Sequence, residues 1–377
     1  MKQNWIYKKL KDICGIQYGY PFDSHCFTED SSFPALIRIR DVVRGFSETY
    51  YKGSIPDEYY VKAGEYLIGM DGEFNIAPWR SEKALLNQRV CKIFSTDSET
   101  EVRFVYYSLI KILKQIEDET PSVTVKHLSA KRLNQKELPI PSLDEQQAIV
   151  RELDGINRLI DLQEEQLREY DRLAQSLFYT TFGDPVSNPK GWEVKKLGEV
   201  AETTSGGTPS KAHNEYYEGG TIPWLRSGEV SQGLIFKTEL FITQAGLDNS
   251  SAKIIPVNSV AIAMYGATVG EVGIIKAPMS TNQAVCSIFP NESVMPIYLL
   301  YFLRAMKPHY INIAAGGAQP NISQAIIRNT KLPLPPLALQ QSFAAQIEAI
   351  EQQKALIRRS LDETRTLLAA RMQYYFE

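Results

Sequence analysis

Apolar residues recur every three or four positions over two long stretches of the chain. The first series has alternating steps of four and three and consists of Ile149, Leu153, Ile156, Ile160, Gln163, Leu167, Tyr170, Ala174 and Leu177. This heptad spacing predicts a long amphipathic helix with a narrow apolar seam. Ser142 and Glu145 form a capping box at its start, and Gly183 and Pro185 follow its end. We therefore expect a helix over 142–183, about 60 Å long.

The second series is patchier and lies in residues 337–377. It consists of Phe343, Ile347, Ile350, Lys354, Ile357, Leu361, Thr364, Leu368 and Arg371. Polar breaks in one series match apolar residues in the other, because Gln163 corresponds to Ile357 and Lys354 to Ile160. Two such helices can bury their seams against each other, so we predict an antiparallel pair. The alternative is that each helix packs only on its own globular region.

The regions before each helix have a different pattern. Residues 1–141 and 184–336 contain short apolar runs separated by Gly, Pro and Asn, which is typical of a mixed globular domain. The predicted fold class is α+β. Two tandem mixed α/β domains are separated by two long antiparallel coiled-coil helices, with pseudo-two-fold symmetry. The predicted segments are a first domain (1–141), a central helix (142–183), a second domain (184–336) and a C-terminal helix (337–377).

The chain repeats its own sequence in order. The matching pairs are "WIYKKL" (5–10) with "WEVKKL" (192–197), "LIGMDG" (67–72) with "AIAMYG" (261–266), "LNQRVCKIF" (86–94) with "TNQAVCSIF" (281–289), and "HLSAKRLNQKELPIP" (127–141) with "NISQAIIRNTKLPLP" (321–335). The offset changes little, from 192 − 5 = 187 to 335 − 141 = 194. The chain is therefore a tandem duplication. In the first pair we expect the Trp and Leu to be core anchors beside solvated lysines.

Charge alone neither supports nor excludes a nucleic-acid partner. The formal net charge is −3, whereas phosphate binding favours a basic surface. However, acidic residues are concentrated in 144–171, and the remainder is close to neutral. The acidic face of the first helix is either a docking surface for a partner or a solvated face.

The chain has no apolar run long enough to span a bilayer, and its N-terminus carries charges, so we expect a cytoplasmic protein. The cysteines are Cys14, Cys26, Cys91 and Cys286, and their scattered spacing matches neither a zinc site nor a disulfide framework. We expect free, mostly buried thiols.

Motifs for catalysis are missing. Gly206-Gly207-Thr208-Pro209-Ser210-Lys211 lacks the spacing of a phosphate-binding loop, and the sequence contains no N-P-P-[YF] motif of amino-methyltransferases. We find no convincing Ser/His/Asp set and no nuclease-like group of carboxylates with a following Lys. These absences disfavour a stand-alone enzyme, and we predict neither catalytic residues nor a metal site.

Both globular regions contain side chains suited to binding DNA. Arginine can make paired bonds to guanine, amides can pair with adenine, and either type of side chain can hold phosphate. The candidates are Tyr18, Tyr20, Arg38, Arg40, Arg44, Lys126, His127, Thr208, Ser210, Lys211, Trp224, Arg226, Tyr265, Gln319 and Asn321. For each residue, the alternative is a solvated surface position or a structural turn. The Asn-Gln pairs at 87–88 and 282–283 occur in both copies, which favours a structural hydrogen bond over a base contact.

The whole chain resembles the specificity subunit of a Type I restriction–modification system. The resemblance rests on the repeated "W-x-x-x-K-L-x-[DE]-[IV]" start together with "SGGTPSK" (205–211), "IPWLRSGEV" (222–230), "YGATVGEVGI" (265–274), "TNQAVCSIFP" (281–290), "GGAQPNIS" (316–323) and "LPLPPLALQQSFA" (332–344). It implies that each globular region is a target recognition domain for one half of a bipartite DNA site, and that the helices set the distance between the halves. The first domain departs from the pattern, with "YGYPF" (18–22) replacing the Gly-Thr-Pro turn and "MDGEFN" (70–75) lacking the "GATVG" form.

The resemblance also implies partners. Two methyltransferase subunits would dock on the helices and adjacent parts of the domains, and restriction subunits can join the complex. These partners would carry S-adenosylmethionine, and ATP with magnesium, so this chain would hold no cofactor and catalyse nothing. One alternative function is a coiled-coil adaptor whose globular regions bind proteins instead of DNA. Another is a methyltransferase or nuclease with unrecognised motifs.

Overall fold

The computed structural model describes residues 5–121, 125–314 and 321–376, and the chain divides into two compact units. Unit 1 contains residues 1–163 and 360–377, and unit 2 contains residues 164–359. Each unit consists of a mixed globular part and one half of each of two long helices. The long helices span Leu143–Phe182 and Leu337–Phe376, within one residue of the ranges predicted from the heptad pattern.

The globular part of unit 1 is built mainly of short strands. Its elements are β1 (Ile6–Lys9), α1 (Leu10–Ile13), β2 (Cys14–Tyr18), β3 (Phe27–Thr28), β4 (Ala35–Ile37), α2 (Ile39–Arg44), β5 (Tyr50–Tyr51), β6 (Tyr60–Val61), β7 (Tyr66–Gly69), β8 (Ile76–Pro78), β9 (Ala84–Leu86), β10 (Val90–Ser95), α3 (Val102–Asp118), α4 (Ala130–Asn134) and β11 (Glu137–Ile140), followed by α5, the first long helix. The strand orders are β2-β10-β7-β8, β3-β5-β4-β9-β6 and β1-β11.

Unit 2 repeats much of this plan. Its elements are β12 (Glu193–Lys196), α6 (Leu197–Val200), β13 (Thr203–Ser205), β14 (Ile222–Leu225), β15 (Leu234–Ile235), β16 (Phe241–Ile242), α7 (Gln244–Asp248), β17 (Ile254–Ile255), β18 (Val260–Ala263), β19 (Val272–Ile275), β20 (Met279–Thr281), β21 (Val285–Ile288), α8 (Pro296–Ala314), α9 (Gln324–Asn329) and β22 (Lys331–Leu334), followed by α10, the second long helix. The strand orders are β13-β21-β18-β19-β15, β16-β14-β20-β17 and β12-β22.

The repeated "W-x-x-K-K-L" motif marks the same place in both units. Leu10 and Leu197 are fully buried, and their N–H groups donate to the carbonyls of Lys136 and Thr330, each at 2.9 Å. The Leu half of the predicted anchor is therefore confirmed. The tryptophans before them are only half-buried, and their indole N–H groups hold the long-helix ends by bonds to Glu145 and to the Phe182 carbonyl.

The two long helices pack antiparallel, as the heptad pattern predicts. In unit 1 the start of α5, at Ile149 and Leu153, shares a core with the end of α10, at Leu368. In unit 2 the end of α5, at Ala174, shares a core with the start of α10, at Phe343. Among the predicted seam residues, those that are buried are Ile149, Leu153, Ile156, Gln163, Ala174, Phe343, Ile347, Ile350, Lys354, Leu361 and Thr364. Those that are half-buried are Ile160, Leu167, Tyr170, Leu177, Ile357, Leu368 and Arg371.

A buried glutamine fixes the start of each long helix. Gln146 donates to the carbonyls of Pro141 (2.9 Å) and Glu99 (3.0 Å), and its oxygen accepts from the Glu101 N–H (2.9 Å). Its counterpart Gln340 makes the equivalent three bonds, at 2.9, 3.4 and 2.9 Å, to Pro335, Ser293 and Met295. Each glutamine therefore ties its long helix to the segment that precedes α3 or α8.

Within the described ranges, none of the helices has the length and apolar character needed to cross a membrane. All four cysteines are free, and Cys14, Cys91 and Cys286 are buried while Cys26 is half-buried. The prediction of free, mostly buried thiols is confirmed.

Candidate nucleic-acid interface

Backbone hydrogen bonds gather four separate segments of unit 1 at the end of β7. Gln88 N–H donates to the Tyr20 carbonyl (2.8 Å), and Met70 N–H donates to the Arg89 carbonyl (2.9 Å). Leu128 N–H donates in turn to the Met70 carbonyl (2.7 Å). We call this region corner 1, and it consists of segments 18–20, 70–71, 87–89 and 126–128. It contains four sequence-predicted candidates: Tyr18, Tyr20, Lys126 and His127.

Unit 2 builds the same corner with equivalent bonds. Met264 N–H donates to the Ala284 carbonyl (2.8 Å), and Ile322 N–H donates to the Met264 carbonyl (2.9 Å). Gly207 N–H donates to the Thr281 carbonyl (2.9 Å), as Tyr20 N–H does to Leu86 in unit 1. We call this region corner 2, and it consists of segments 206–208, 264–265, 281–284 and 321–322. It brings together the predicted residues Thr208, Tyr265 and Asn321.

The side chains at the two corners differ in chemistry. At corner 1, Asp71 and His127 face each other across an isolated β-bridge, and the Asp71 carboxylate bonds to the His127 Nδ1. The guanidinium of Arg89 lies 3.5 Å from Asp71 Oδ2. At corner 2 the equivalent bridge joins Tyr265 and Asn321, both exposed and uncharged. Corner 1 is therefore ionic and corner 2 is neutral.

Three predicted arginines surround helix α2 of unit 1. Asp41, whose side chain is 1% exposed, accepts the Arg38 N–H at 2.9 Å and lies 3.7 Å from Arg40 and 3.5 Å from Arg44. A buried carboxylate thus fixes the helix start and holds two guanidinium groups at the surface. Arg44 also bonds to Glu48 at 2.9 Å. An open cleft next to α2 is lined by Arg38, Ile39, Arg40, Val43, Asp71, Glu73 and Asn75, so it adjoins corner 1 at Asp71.

The corresponding place in unit 2 holds a single predicted arginine. The N–H of Arg226 donates to Glu229, and its guanidinium bonds to Glu239 at 2.6 Å. The neighbouring Trp224 is only 5% exposed, and its indole N–H donates to the Gly207 carbonyl at 3.0 Å. Trp224 is therefore a packing residue that holds the 206–208 segment, and its ring is unavailable to stack on a base. This corrects its inclusion among the candidates for DNA contact.

The remaining candidates occupy varied environments. Ser210 and Lys211 are exposed, and the hydroxyl of Thr208 donates to Gln283. Lys126 is half-buried and donates to the Glu117 carbonyl near the end of α3 (2.7 Å), so its ammonium group is used within the fold. Gln319 lies outside the described residues. The candidates that the structure leaves available at the corners are Tyr18, Tyr20, His127, Tyr265 and Asn321, each exposed.

The repeated Asn-Gln pair has a structural role, as its presence in both copies indicated. Asn87 is buried, and its side-chain oxygen accepts the Gln88 N–H at 2.9 Å. The side-chain oxygen of Asn282 accepts the Ala284 N–H at 3.2 Å. Both asparagines therefore stabilise the turn that leads into the next strand, and the exposed Gln88 and Gln283 extend from it.

Burial, and then the nearby Cys91 thiol, raise the pKa of Tyr18, so its phenol stays protonated and can donate a hydrogen bond at neutral pH. Within residues 5–121, 125–314 and 321–376, no group of three His, Cys, Asp or Glu side chains is arranged to hold a metal ion.

Two corner residues, Asp71 and Arg89, were not among the sequence-predicted sites. Arg89 follows the repeated Asn-Gln pair, and the second copy has Ala284 in its place. That divergence inside a turn that both copies share was the available signal. Asp71 offered none, because its partners lie 18 and 56 residues away and meet it only in the fold.

Comparison with known proteins agrees with this two-unit organisation. A family model described as "Type I restriction modification DNA specificity domain" matches residues 2–170 and 189–364. The EcoBI specificity subunit of Escherichia coli is 27% identical over 380 residues, covering 92% of this chain and 79% of that protein. The EcoR124I/EcoR124II specificity subunit, also of Escherichia coli, is 27% identical over 290 residues, covering 74% and 70%.

Solved structures share the fold. The S subunit of a Type I restriction–modification system from M. genitalium has a TM-score of 0.58 at 14% identity, covering 99% of this chain and 96% of that one. A chain from work on assembly and conformational transition of the type I R-M system has a TM-score of 0.59 at 20% identity, covering 100% and 98%.

Proposed function

The chain belongs to the Type I restriction modification DNA specificity domain family, and from this premise we propose that each unit reads one half of a bipartite site in double-stranded DNA. The observation that carries the proposal is the contrast between the two corners. Their backbone bonds are equivalent, while their exposed side chains differ in charge and hydrogen-bonding character. A reader of two different half-sites needs one scaffold and two surfaces.

The two arginines at the start of α2 support contact with the DNA backbone in unit 1. Arg38 and Arg40 are exposed along the cleft next to α2, and arginine holds phosphate through paired hydrogen bonds. In unit 2, Lys211 is exposed, whereas Arg226 is already paired with Glu239. We expect weak DNA binding by the chain alone, because its net charge of −3 opposes phosphate attraction.

We further propose that this chain catalyses nothing and works in the cytoplasm with two methyltransferase subunits, and with restriction subunits where these are present. The partners would supply S-adenosylmethionine, and ATP with magnesium, and would methylate adenine. The long helices would set the distance between the half-sites. Deleting one heptad from each helix is expected to shorten that distance and to leave the half-site sequences unchanged.

An open groove in unit 2 supports docking of a partner beside the long helix. It is lined by α8 and α10 and includes Leu300, Arg304 and Ile347, with the exposed ring of Phe236 at one side. A groove with an apolar floor and charged rim fits a protein partner better than a nucleic acid. Glu165 and Glu169 of α5 in this unit pair with arginines of the same helix, for example Glu165 with Arg168 at 2.6 Å, which is typical of a solvated face.

The test is methylation of a random-sequence DNA library by the chain assembled with its methyltransferase partner. We expect methylated molecules to share one motif made of two specific parts separated by a non-specific gap. The control is the same partner without this chain, which should give no shared motif. Methylation with no sequence preference by the complete complex would overturn the proposal.

Salt dependence separates DNA reading from the protein-adaptor alternative. If the complex binds DNA through phosphates, the logarithm of its affinity falls steeply and linearly with the logarithm of salt concentration. If the units bind only proteins, the complex should show no DNA affinity with this steep dependence on salt concentration.

A further inference from the structure

Arg89 has a backbone conformation that its counterpart in unit 2 does not share. Its φ is +72°, in the left-handed region, which is unfavourable for a residue with a side chain. Among the described residues, the other non-glycine residues with positive φ are Asn188 and Asn258, and Ala284 is not one of them. Since Ala284 accepts the same backbone bond from Met264, this bond does not itself require the strained conformation. Such strain often marks a functional side chain.

The neighbours of Arg89 position its side chain and still leave hydrogen-bond donors available. This side chain is 53% exposed, 3.5 Å from Asp71 Oδ2 and 3.3 Å from His127 Nδ1. An ionised Asp71 carboxylate can only accept hydrogen bonds, and an arginine can only donate them. The bond between Asp71 and His127 therefore requires a proton on His127 Nδ1, which donates to the carboxylate. Arg89 then keeps its ionic contact with Asp71 through one terminal nitrogen, and among the described residues its other side-chain N–H groups have no hydrogen-bond partner. It is a positioned cation with free hydrogen-bond donors.

We propose that Arg89, oriented by Asp71 and flanked by His127, is a guanine-reading site of unit 1. A guanidinium group donates two parallel bonds to the O6 and N7 acceptors of guanine in the major groove. A phosphate is the competing ligand for an arginine. The Asp71 carboxylate repels an anion at this position, while it tolerates a neutral base with two acceptors. This inference rests on the proposed function, and it adds the base class that one unit recognises.

Corner 2 has no arginine at the equivalent position, so it cannot make this contact with guanine and serves as an internal control. Ala284 stands where Arg89 stands, and the bridge residues are Tyr265 and Asn321 in place of Asp71 and His127. Removing the Arg89 side chain should therefore affect one half-site and leave the other unchanged.

The experiment uses the complete complex with its methyltransferase partner and the random-sequence library. In the half-site read by unit 1, the wild-type motif is expected to contain a G·C pair. Arg89→Ala should lower the preference for that pair by about tenfold to a hundredfold, because one such contact contributes roughly 1–3 kcal/mol of discrimination. Arg89→Lys keeps the charge but lacks the planar fork, so it should also lose the preference while retaining more of the methylation rate.

Two further variants guard against loss of folding and identify the half-site. Asp71→Asn removes the charge that orients Arg89 and should weaken the same preference by about tenfold, a discrimination loss of roughly 1.4 kcal/mol. Asn321→Ala in corner 2 should leave that G·C preference unchanged. Thermal melting and gel filtration of each complex show whether it has folded and assembled.

The outcomes separate the two hypotheses. A wild-type complex that shows no bipartite motif overturns the proposed function. If the wild-type complex shows a bipartite motif, the proposed function stands and the guanine site can fail separately. It fails if Arg89→Ala keeps the base preferences of both half-sites while the overall methylation rate falls, because Arg89 would then contact a phosphate. The guanine site also fails if the half-site of unit 1 contains no G·C pair.

Discussion

The end of β7 in unit 1 and the end of β18 in unit 2 form the same backbone and display different side chains. Met70 and Met264 each donate to the next turn and accept from the segment before α4 or α9. Around them stand Asp71 and Arg89 in one unit, and Tyr265 in the other. The same division holds at the long helices, where Gln146 and Gln340 are equivalent while many packing residues differ.

Under the proposed function, this comparison separates positions that hold the shared backbone in place from positions that would carry specificity. Residues identical in both copies, such as the two Asn-Gln turns, satisfy backbone groups that both units must satisfy. Residues that differ at an exposed corner are free of that constraint. A sequence repeat therefore indicates structure where the copies agree and function where they disagree at the surface.

The largest expected loss of stability comes from the C-terminal ends of the long helices, which are packed differently in the two units. Phe178 is 1% exposed in the core of unit 2, and its counterpart in unit 1, at an offset of 372 − 178 = 194, is the half-buried Met372. Phe178→Ala should destabilise unit 2 by about 4 kcal/mol, because it leaves a large cavity. Met372→Ala should cost unit 1 about 2 kcal/mol. Urea unfolding with a separate probe in each unit measures both, and equal losses would contradict the comparison.

Next in size are the glutamines that fix the long-helix starts. Gln146→Leu and Gln340→Leu each leave buried backbone groups without partners, and each should cost about 3 kcal/mol. The expected losses are equal, because the three hydrogen bonds are equivalent in the two units.

The matched control is Gln341→Leu, since Gln341 is exposed next to Gln340, and it should change the free energy of unfolding by less than about 0.5 kcal/mol. A large loss for Gln146→Leu with none for Gln340→Leu would show that the two helix starts are not equivalent.

The sequence predicted features that depend on local patterns better than features that depend on contacts between distant residues. The long helices were predicted closely, because a heptad pattern repeats over many turns and the caps lie beside it. The strands were not predicted individually, since several, such as β3 and β15, have only two residues and show no periodicity. Phe178 lay outside the predicted seam because it packs on Tyr298 and Tyr301 of α8, a contact that no local pattern encodes.

The candidate DNA-binding residues show the same limit of local patterns. Tyr265 and Asn321 were predicted from their motifs, and the fold brings them together in one bridge. Trp224 was a candidate because, with Arg226, it takes the place in the second copy that the arginines take in the first, whereas the short sheet β16-β14-β20-β17 buries it. Asp71 was missed because its role depends on Arg89 and His127, which are distant in sequence.

A smaller effect is expected where the seams differ in polarity. Lys354 is buried in unit 2 and bonds to Asp171 at 2.6 Å and Glu351 at 2.8 Å, whereas its counterpart in unit 1 is Ile160. Lys354→Ile should change the free energy of unfolding by less than about 1 kcal/mol, because an apolar residue can replace a buried ion pair and Asp171 is largely solvated. The reverse exchange, Ile160→Lys, should cost unit 1 about 2 kcal/mol. A loss of similar size for Lys354→Ile would show that the ion pair is a main source of stability in unit 2.

The smallest expected difference between the units is in their buried thiols. Burial raises the pKa of Cys91 in unit 1 and of Cys286 in unit 2 to about 12, and the two residues occupy equivalent strands, β10 and β21. A raised thiol pKa lowers the fraction of reactive thiolate, so both should resist alkylation at pH 8 and at pH 9. Cys14 has the same raised pKa of about 12, while the half-buried Cys26 should be the site that reacts. Alkylation followed by peptide mass spectrometry should therefore find label on Cys26 in the native chain and on all four cysteines after unfolding. Labelling of Cys286 without Cys91 would reveal local opening of the unit 2 sheet under conditions that leave the unit 1 sheet closed.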